Sequence, residues 1–212
     1  MASSIIHLAI AEELMKRRSF ISAKRLRFGV VLPDAGDGAR SRSHLRIQID
    51  ERGRRTYDLE RFRAMYGARM QRDDLYLGYY LHLIQDIVFR QFIYQRYHWN
   101  PNVPDGVNKL HRDYAISNRY VIERYAMINN VVIPEGFERE PIHALCPFNA
   151  EGLIGDIHGY FASREAGTPF FFTAAMADEY IADATHICLR ELRALEQGEA
   201  LMDSAQNAWG GA

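Results

Sequence analysis

Apolar residues recur every three to four positions through most of the chain, which is the spacing of one face of an α-helix. In the first such segment, Ile6, Ile10 and Leu14 follow this spacing. The segment after Asp73 is apolar on nearly every face, so we expect it to form a helix at the centre of the protein. The pattern predicts helices at 4–17, 22–27, 59–70, 73–97, 107–127, 150–162 and 174–195.

The segments between these helices contain glycine and proline, which end helices and form turns. Gly29 is placed to end the second helix, and the run that follows is broken by Pro33 and Gly36, so Asp34 is expected on a loop. Residues 45–59 alternate weakly between apolar and polar, which fits a small hairpin or an extended excursion.

These elements predict an all-α fold, an irregular bundle of about six to eight helices. No linker divides the chain, and 212 residues can fold around one hydrophobic core, so residues 1–196 are predicted to form a single domain. The polar segment 197–212 is expected to be a flexible tail.

The charge and hydropathy of the chain argue against some classes of binding partner. Lys plus Arg (26) nearly balances Asp plus Glu (27), so no overall field favours nucleic acid or an anionic membrane. No apolar run is long enough to cross a bilayer, and the N-terminus does not have the pattern of a signal peptide. Cys146 and Cys188 cannot build a disulfide framework. We therefore predict a cytoplasmic protein without nucleic-acid partner or stable membrane insertion; its oligomeric state is left open.

The strongest chemical signal is the pair His82 and Asp86 inside the predicted central helix. Four residues make about one helical turn, so the imidazole and the carboxylate share a face and can chelate one cation. The pair alone also fits an ordinary His–Asp hydrogen bond in a core. Burying an ionisable pair in the run LYLGYYLHLIQDIVF is costly unless a partner compensates it, and a metal ion would be such a partner.

Asp34 and His44 are the candidates to complete this chelate. Read alone, they also fit a turn aspartate and a surface histidine. If the loop carries both onto the helical pair, two histidines and two carboxylates surround one ion. That mixed nitrogen and oxygen donor set suits zinc, and also manganese or iron.

Four pieces of the chain together resemble the bacterial zinc-dependent phospholipase C family and its intracellular relatives of unassigned substrate. They lie within roughly residues 1–120 and are His7 in IIHLAIAEEL, the GxxxPDA loop at 29–35, SxSH at 41–44 and GYYLHLIQD at 78–86. The resemblance implies an irregular multi-helix bundle of the type seen in that family. It implies a zinc held by Asp34, His44, His82 and Asp86, with His7 and Asp86 sharing a neighbouring metal.

The chain also departs from the secreted members of that family. Their mature N-terminal Trp contributes its amine to a metal, whereas this sequence starts with Met1, and Phe92 stands where they carry another histidine. A complete three-metal centre is therefore not expected. The later histidine of the family pattern matches His111, with Asp113 or Asn118 as its companion; helical spacing puts Asn118 on the face of His111.

The resulting hypothesis is a metal-dependent hydrolase of a small phosphorylated substrate, in which metal-activated water attacks phosphorus. Asp34 or Asp86 would orient or deprotonate the water, and His111 would assist the leaving group or bind a second metal. The candidate substrate-binding residues are Tyr79, Asn118 and Asp113.

Two other functions stay open. One is a non-catalytic helical binding module with a structural metal. The other is an HD-type nucleotide phosphohydrolase, although no histidine here is followed directly by aspartate. Residue types at a metal centre do not identify the substrate.

Overall fold

Helices with capped N-termini make up most of the structure, a computed structural model that describes residues 2–210. Side-chain oxygens of Ser3, Ser22, Asp58, Asp73 and Thr173 each accept a hydrogen bond from a backbone N–H in the first turn of the helix that follows. The helices are α1 (Ser4–Met15), α2 (Ala23–Gly29), α3 (Arg40–Ser43), α4 (Leu59–Met70), α5 (Asp74–Arg90), α6 (Gly106–Arg124), α7 (Ala150–Ala162) and α8 (Ala174–Glu196).

Over residues 2–210 the fold is all-α apart from one small hairpin, as the hydrophobic pattern predicts. Its two strands, β1 (Arg46–Gln48) and β2 (Arg55–Tyr57), pair antiparallel with Ile47 opposite Thr56. Short 3₁₀ helices cover Leu32–Ala35, Phe137–Arg139 and Pro141–Ala144, so Asp34 lies on a single 3₁₀ turn within the expected loop.

Helix α5 is the centre of the bundle, and all its residues except Leu77 and Arg90 are buried. The predicted helix to residue 97 is corrected at its end, because the α-helix stops at Arg90 and continues as a π-helical turn over Gln91–Arg96. Helices α1, α2, α4 and α8 pack around α5. None of the helices within 2–210 has the length and apolar character that crossing a membrane requires.

Two glycines let α2 cross α5 at close range. A Cβ on Gly29 would lie 2.3 Å from the carbonyl oxygen of Leu75, and one on Gly78 would lie 2.7 Å from that of Leu26. No other residue fits such a backbone contact. The crossing brings the chain after α2, including Val30, onto the face of α5 that carries His82.

The segment after α8 packs on the domain, in contrast to the expected flexible tail. Glu191 accepts hydrogen bonds from the backbone N–H groups of Leu201 and Met202, and Trp209 exchanges backbone hydrogen bonds with Arg55 on β2. These bonds satisfy backbone groups that a free tail would leave to water. Residues 211 and 212 of the expected tail lie outside the described residues.

Candidate metal centre

His82 and Asp86 lie one turn apart on α5 and are completely buried. His82 Nε2 is 3.8 Å from Asp86 Oδ2, so the pair shares a face as its spacing predicts. Neither side chain faces solvent. Both can therefore serve only groups that other elements bring to them.

Asp34 and His44 reach this pair from the segment between α2 and β1. The 3₁₀ turn and α3 pack closely at Gly36, where a Cβ would lie 2.6 Å from Ser43 Oγ. His44 Nε2 lies 3.7 Å from Asp34 Oδ1, 3.2 Å from His82 Nε2 and 3.6 Å from Asp86 Oδ2. The four residues that the sequence predicts to share a metal therefore converge.

His7 approaches the same pair from α1. Its ring stacks on that of His82 with centroids 4.1 Å apart, and its Nε2 lies 3.5 Å from Asp86 Oδ1. The two oxygens of Asp86 thus face different histidines, with Oδ1 toward His7 and Oδ2 toward His44 and His82. This is the arrangement of a carboxylate that can bridge two neighbouring cations.

All three imidazoles are oriented by a hydrogen bond at Nδ1. His82 Nδ1 donates to Val30 O at 2.8 Å, His44 Nδ1 to Arg40 O at 3.0 Å, and His7 Nδ1 to Gln85 Oε1 at 2.7 Å. Because these oxygens only accept, Nδ1 carries a proton in each ring, and Nε2 presents a lone pair whenever the ring is neutral. Histidines that bind metals through Nε2 are held in this way.

The cluster brings two carboxylates together: Arg40 pairs with Asp34 at 2.9 Å, and His7 lies 3.5 Å from Asp86. Burial lowers the pKa of His82 to about 3 and also lowers the pKa of His44, so both rings are neutral at neutral pH. Burial opposes ionisation of Asp86, but the imidazoles of His7 and His82 beside it hold its pKa well below its usual range. Burial likewise opposes ionisation of Asp34, yet His82 and His44 lower its pKa. Two carboxylates therefore stay ionised in a site with little water.

The separations match a shell of metal ligands. Nitrogens at about 2.0–2.1 Å from a tetrahedral ion lie about 3.3 Å apart, close to the 3.2 Å between His44 Nε2 and His82 Nε2. The donor atoms of His44, His82 and Asp86 all lie within 4.8 Å of one another, as do those of His7, Asp34 and His82. These residues fit a metal ion, because two facing lone pairs at this distance repel each other unless a cation or proton lies between them.

A cavity of about 550 Å³ opens above the cluster. Asp34 and His44 form part of its wall, whereas His7, His82 and Asp86 lie behind the wall. The other polar residues of the wall include Ser3, Arg40, Arg46, Tyr57, Arg90, His111, Tyr114, Asn118 and Asp156.

His111 and Asn118, predicted to lie on one face of α6, both line this cavity. His111 is exposed at the wall, and partial burial lowers the pKa of its imidazole. Asn118 is buried; its Oδ1 accepts a hydrogen bond from Ser3 Oγ at 2.5 Å, and its Nδ2 finds no acceptor within residues 2–210. Nδ2 is itself buried, so the prediction that Asn118 contacts substrate rests on the place of the residue in the cavity wall.

The other two predicted substrate-binding residues lie outside the cavity, and their assignment is corrected. Tyr79 is fully buried beside Phe62, and its hydroxyl donates to the carbonyl of Ser43, where it supports the residue before His44. Asp113 is buried on the far side of α6 and accepts the backbone N–H groups of Phe170, Phe171 and Phe172. Both side chains hold the backbone in place.

The predicted role of Asp86 in activating water is also corrected. Asp86 has no solvent exposure and does not line the cavity, so it can act as a ligand but cannot reach a water that attacks substrate. Asp34 does line the cavity, and Arg40 Nη2 contacts its Oδ1 at 2.9 Å. Of the two carboxylates, only Asp34 can contact both a metal ion in the cluster and a water molecule in the cavity.

Sequence reasoning missed several residues that the structure brings to the site. Gln85 supports His7, and the signal was present as a polar residue in an otherwise apolar run. Tyr57 donates to Asp86 Oδ2 at 3.3 Å, and Arg90 and Trp209 pack against Tyr57. Nothing in the local sequence of β2 or the tail indicates these contacts.

Comparisons with known proteins add no relative, because no family model, curated protein or solved structure matches this chain. The resemblance to the zinc-dependent phospholipase C family therefore stays a prediction that rests on sequence motifs.

Proposed function

We propose that the cluster of His7, Asp34, His44, His82 and Asp86 binds divalent metal and that the protein hydrolyses a phosphoester. The observation that carries this proposal is the orientation of three buried imidazoles, each held at Nδ1 with Nε2 toward an ionised carboxylate. A core that needed only packing would not gain from this arrangement, because bringing two carboxylates and three imidazoles out of water is costly unless a bound ion or hydrogen bonds compensate.

Zinc is the metal that this donor set suits best, and manganese and iron(II) accept the same ligands. Asp34, His44, His82 and Asp86 would hold one ion. His7 and Asp86 Oδ1 offer donors for a second ion beside it. The N-terminal amine of the secreted lipases is not part of the proposal.

The cavity supports catalysis over a purely structural metal. A divalent ion bound here would supply positive charge and lower the pKa of water for attack on phosphorus. Asp34 is the carboxylate in the cavity wall, so it accepts the proton of the attacking water. Arg40 forms an ion pair with Asp34 Oδ1. His111 and Asn118 line the same cavity and hydrogen-bond the leaving group or the substrate.

The charge of the cavity supports an anionic substrate. Its wall contains the arginines Arg40, Arg46 and Arg90 against the two carboxylates Asp34 and Asp156, before the charge of any metal is added. A phosphoester matches both the arginines and the metal, since phosphoryl oxygens are bound by both in enzymes.

The test combines metal analysis with an activity screen of the purified full chain. We expect about one or two metal ions per chain and hydrolysis of p-nitrophenyl phosphate or bis(p-nitrophenyl) phosphate. Asp34→Ala and His82→Ala should lose metal and activity together. His186→Ala, which removes an exposed histidine of α8 outside the cavity, is the matched control and should keep both.

Retention of both metal and hydrolysis by Asp34→Ala and His82→Ala would overturn the proposal. Stoichiometric metal without hydrolysis would favour the non-catalytic module with a structural metal. Hydrolysis confined to nucleotides would favour the nucleotide phosphohydrolase.

A further inference from the structure

Arg90 ends α5 one turn after Asp86 and reaches the wall of the metal cavity. Its Nε and Nη2 donate weakly to the hydroxyl of Tyr57 at 3.4 and 3.3 Å. That hydroxyl in turn donates to Asp86 Oδ2 at 3.3 Å. A single phenol group therefore separates the guanidinium from a proposed metal ligand.

No carboxylate within residues 2–210 forms an ion pair with Arg90. Other partly buried arginines have such partners: Arg25 pairs with Asp73 and Glu140, and Arg27 pairs with Glu12. Arg90 is half-buried, yet within the described part of the chain it forms no ion pair, and its Nη1 has no acceptor. A half-buried cation that faces a cavity and has free N–H groups is suited to bind an anion there.

The segment after α8 holds this guanidinium in place. Trp209 lies over it at 4.2 Å from the ring centroid and packs edge-on against Tyr57. Backbone bonds between Trp209 and Arg55, and a side-chain bond between Gln91 and Asn207, fix the segment beside the cavity. Stacking on an aromatic ring orients a guanidinium while its in-plane N–H groups stay free to donate.

We propose that Arg90, held between Tyr57 and Trp209, binds the phosphoryl oxygens of the substrate, and that this substrate carries a terminal phosphate. The inference rests on the proposed function. A phosphomonoester brings a second negative charge that a diester lacks, and it matches the excess of arginine in the wall, where exposed Arg46 also forms no ion pair within residues 2–210.

The experiment measures binding of inorganic phosphate to the metal-loaded full chain by calorimetry, together with metal content and the kinetics of p-nitrophenyl phosphate hydrolysis. Arg90→Gln should weaken phosphate binding by about 10-fold or more and raise KM by a similar factor, with metal content unchanged. Arg90→Lys should lie between Arg90→Gln and the wild type, because it keeps the charge and loses the planar donors.

The matched control is Arg63→Gln. Arg63 is also half-buried, lies over the ring of Tyr80 and donates to the Tyr80 hydroxyl at 2.8 Å, but it lies outside the metal cavity. The Arg63→Gln variant should bind phosphate as tightly as the wild type does. Trp209→Leu should weaken phosphate binding severalfold without loss of metal, because it removes the stacked ring and leaves Arg90.

Failure of this inference can be told apart from failure of the proposed function. If the wild type takes up metal and hydrolyses the ester while Arg90→Gln binds phosphate within about twofold of it, only the role of Arg90 is overturned. Faster hydrolysis of bis(p-nitrophenyl) phosphate than of the monoester would overturn the terminal phosphate. If the wild type binds no metal, the proposed function fails, and phosphate binding by the metal-free chain still tests Arg90.

Discussion

Asp86 and Asp113 are both almost fully buried, with 0% and 1% exposure, but their surroundings differ. Asp113 accepts three backbone N–H groups, from Phe170 at 2.7 Å, Phe171 at 2.7 Å and Phe172 at 2.9 Å. Asp86 accepts only the Tyr57 hydroxyl at Oδ2, and its Oδ1 has no hydrogen-bond donor within the described residues.

The difference separates a structural carboxylate from one poised to bind a cation. Backbone donors stabilise the charge of Asp113 and at the same time fix the loop before α8. Asp86 instead faces the Nε2 atoms of His7, His44 and His82, and the neutral rings of His44 and His82 hold their protons at Nδ1. Burial alone therefore does not identify the candidate metal centre; what distinguishes it is the small number of donors around a buried carboxylate.

The largest effect is expected from Asp86→Asn. The change keeps the shape of the side chain and removes the charge that faces all three histidines, so we expect loss of bound metal and a fall in hydrolysis of about 100-fold or more. Metal analysis and initial rates measure both effects. The metal-free variant should stay folded, since the wild-type carboxylate lacks donors that the fold depends on.

The comparison fails if Asp86→Asn retains metal and rate, or if Asp113→Asn loses them to the same extent. The second variant is the matched control because it makes the same substitution at an equally buried position.

Asp113→Asn should have the next largest effect, on stability. An amide presents one donor where the carboxylate presented an acceptor, so at least one N–H of Phe170–Phe172 loses its partner and the others lose a charged one. We expect the free energy of unfolding to fall by about 2–3 kcal/mol, measured by urea denaturation. An unchanged unfolding midpoint would mean that these hydrogen bonds do not anchor the loop.

Asp86 and Asp113 also show which features of the site can be predicted from the sequence. The spacing of His82 and Asp86 predicts their common face, because a helix repeats regularly and its geometry is local. Asp113 lies two residues from His111 in the same helix, so the sequence predicts it as a site residue; only the folded chain shows that the backbone of Phe170–Phe172 packs against it.

The rest of the site depends on contacts distant in sequence. Gly29 marks the end of α2 in the sequence, but the close crossing with α5 that places Val30 O against His82 appears only in the folded chain. Trp209 meets Tyr57 and Arg90 from a segment that composition assigns to a free tail. Such contacts depend on packing between elements, which hydrophobic periodicity does not encode.

Removal of metal should have a smaller effect, on the free energy of unfolding. A metal that binds only the folded chain, at about 30 times its Kd, adds about 2 kcal/mol to the free energy of unfolding. Chelation should therefore lower the thermal midpoint of the wild type and of Asp113→Asn alike, measured by circular dichroism. Asp86→Asn should not respond to the chelator; a response equal to that of the wild type would show that the metal binds elsewhere.

The smallest effect is expected when the pH is lowered. It separates the metal beside Asp86 Oδ1 and His7 from the metal beside Asp86 Oδ2, His44 and His82. Burial lowers the pKa of His7, but the negative charge of Asp86, 3.5 Å away, outweighs it and raises the pKa above its ordinary value. In the metal-free protein this shift stabilises the fold at low pH, and the contribution is lost as pH rises through the raised pKa. Metal needs the deprotonated ring, so the metal next to His7 should leave first as pH falls.

His44 and His82 have lowered pKa values and should hold their metal to lower pH. Metal bound per chain, titrated from about pH 8 to about pH 5, should therefore fall in two steps. His7→Gln should bind about half as much metal at the upper end and lose the first step, while the second step stays where it was. A single step in the wild type, or two steps in His7→Gln, would mean that Asp86 does not bridge two ions and that its Oδ1 serves His7 by hydrogen bonding alone.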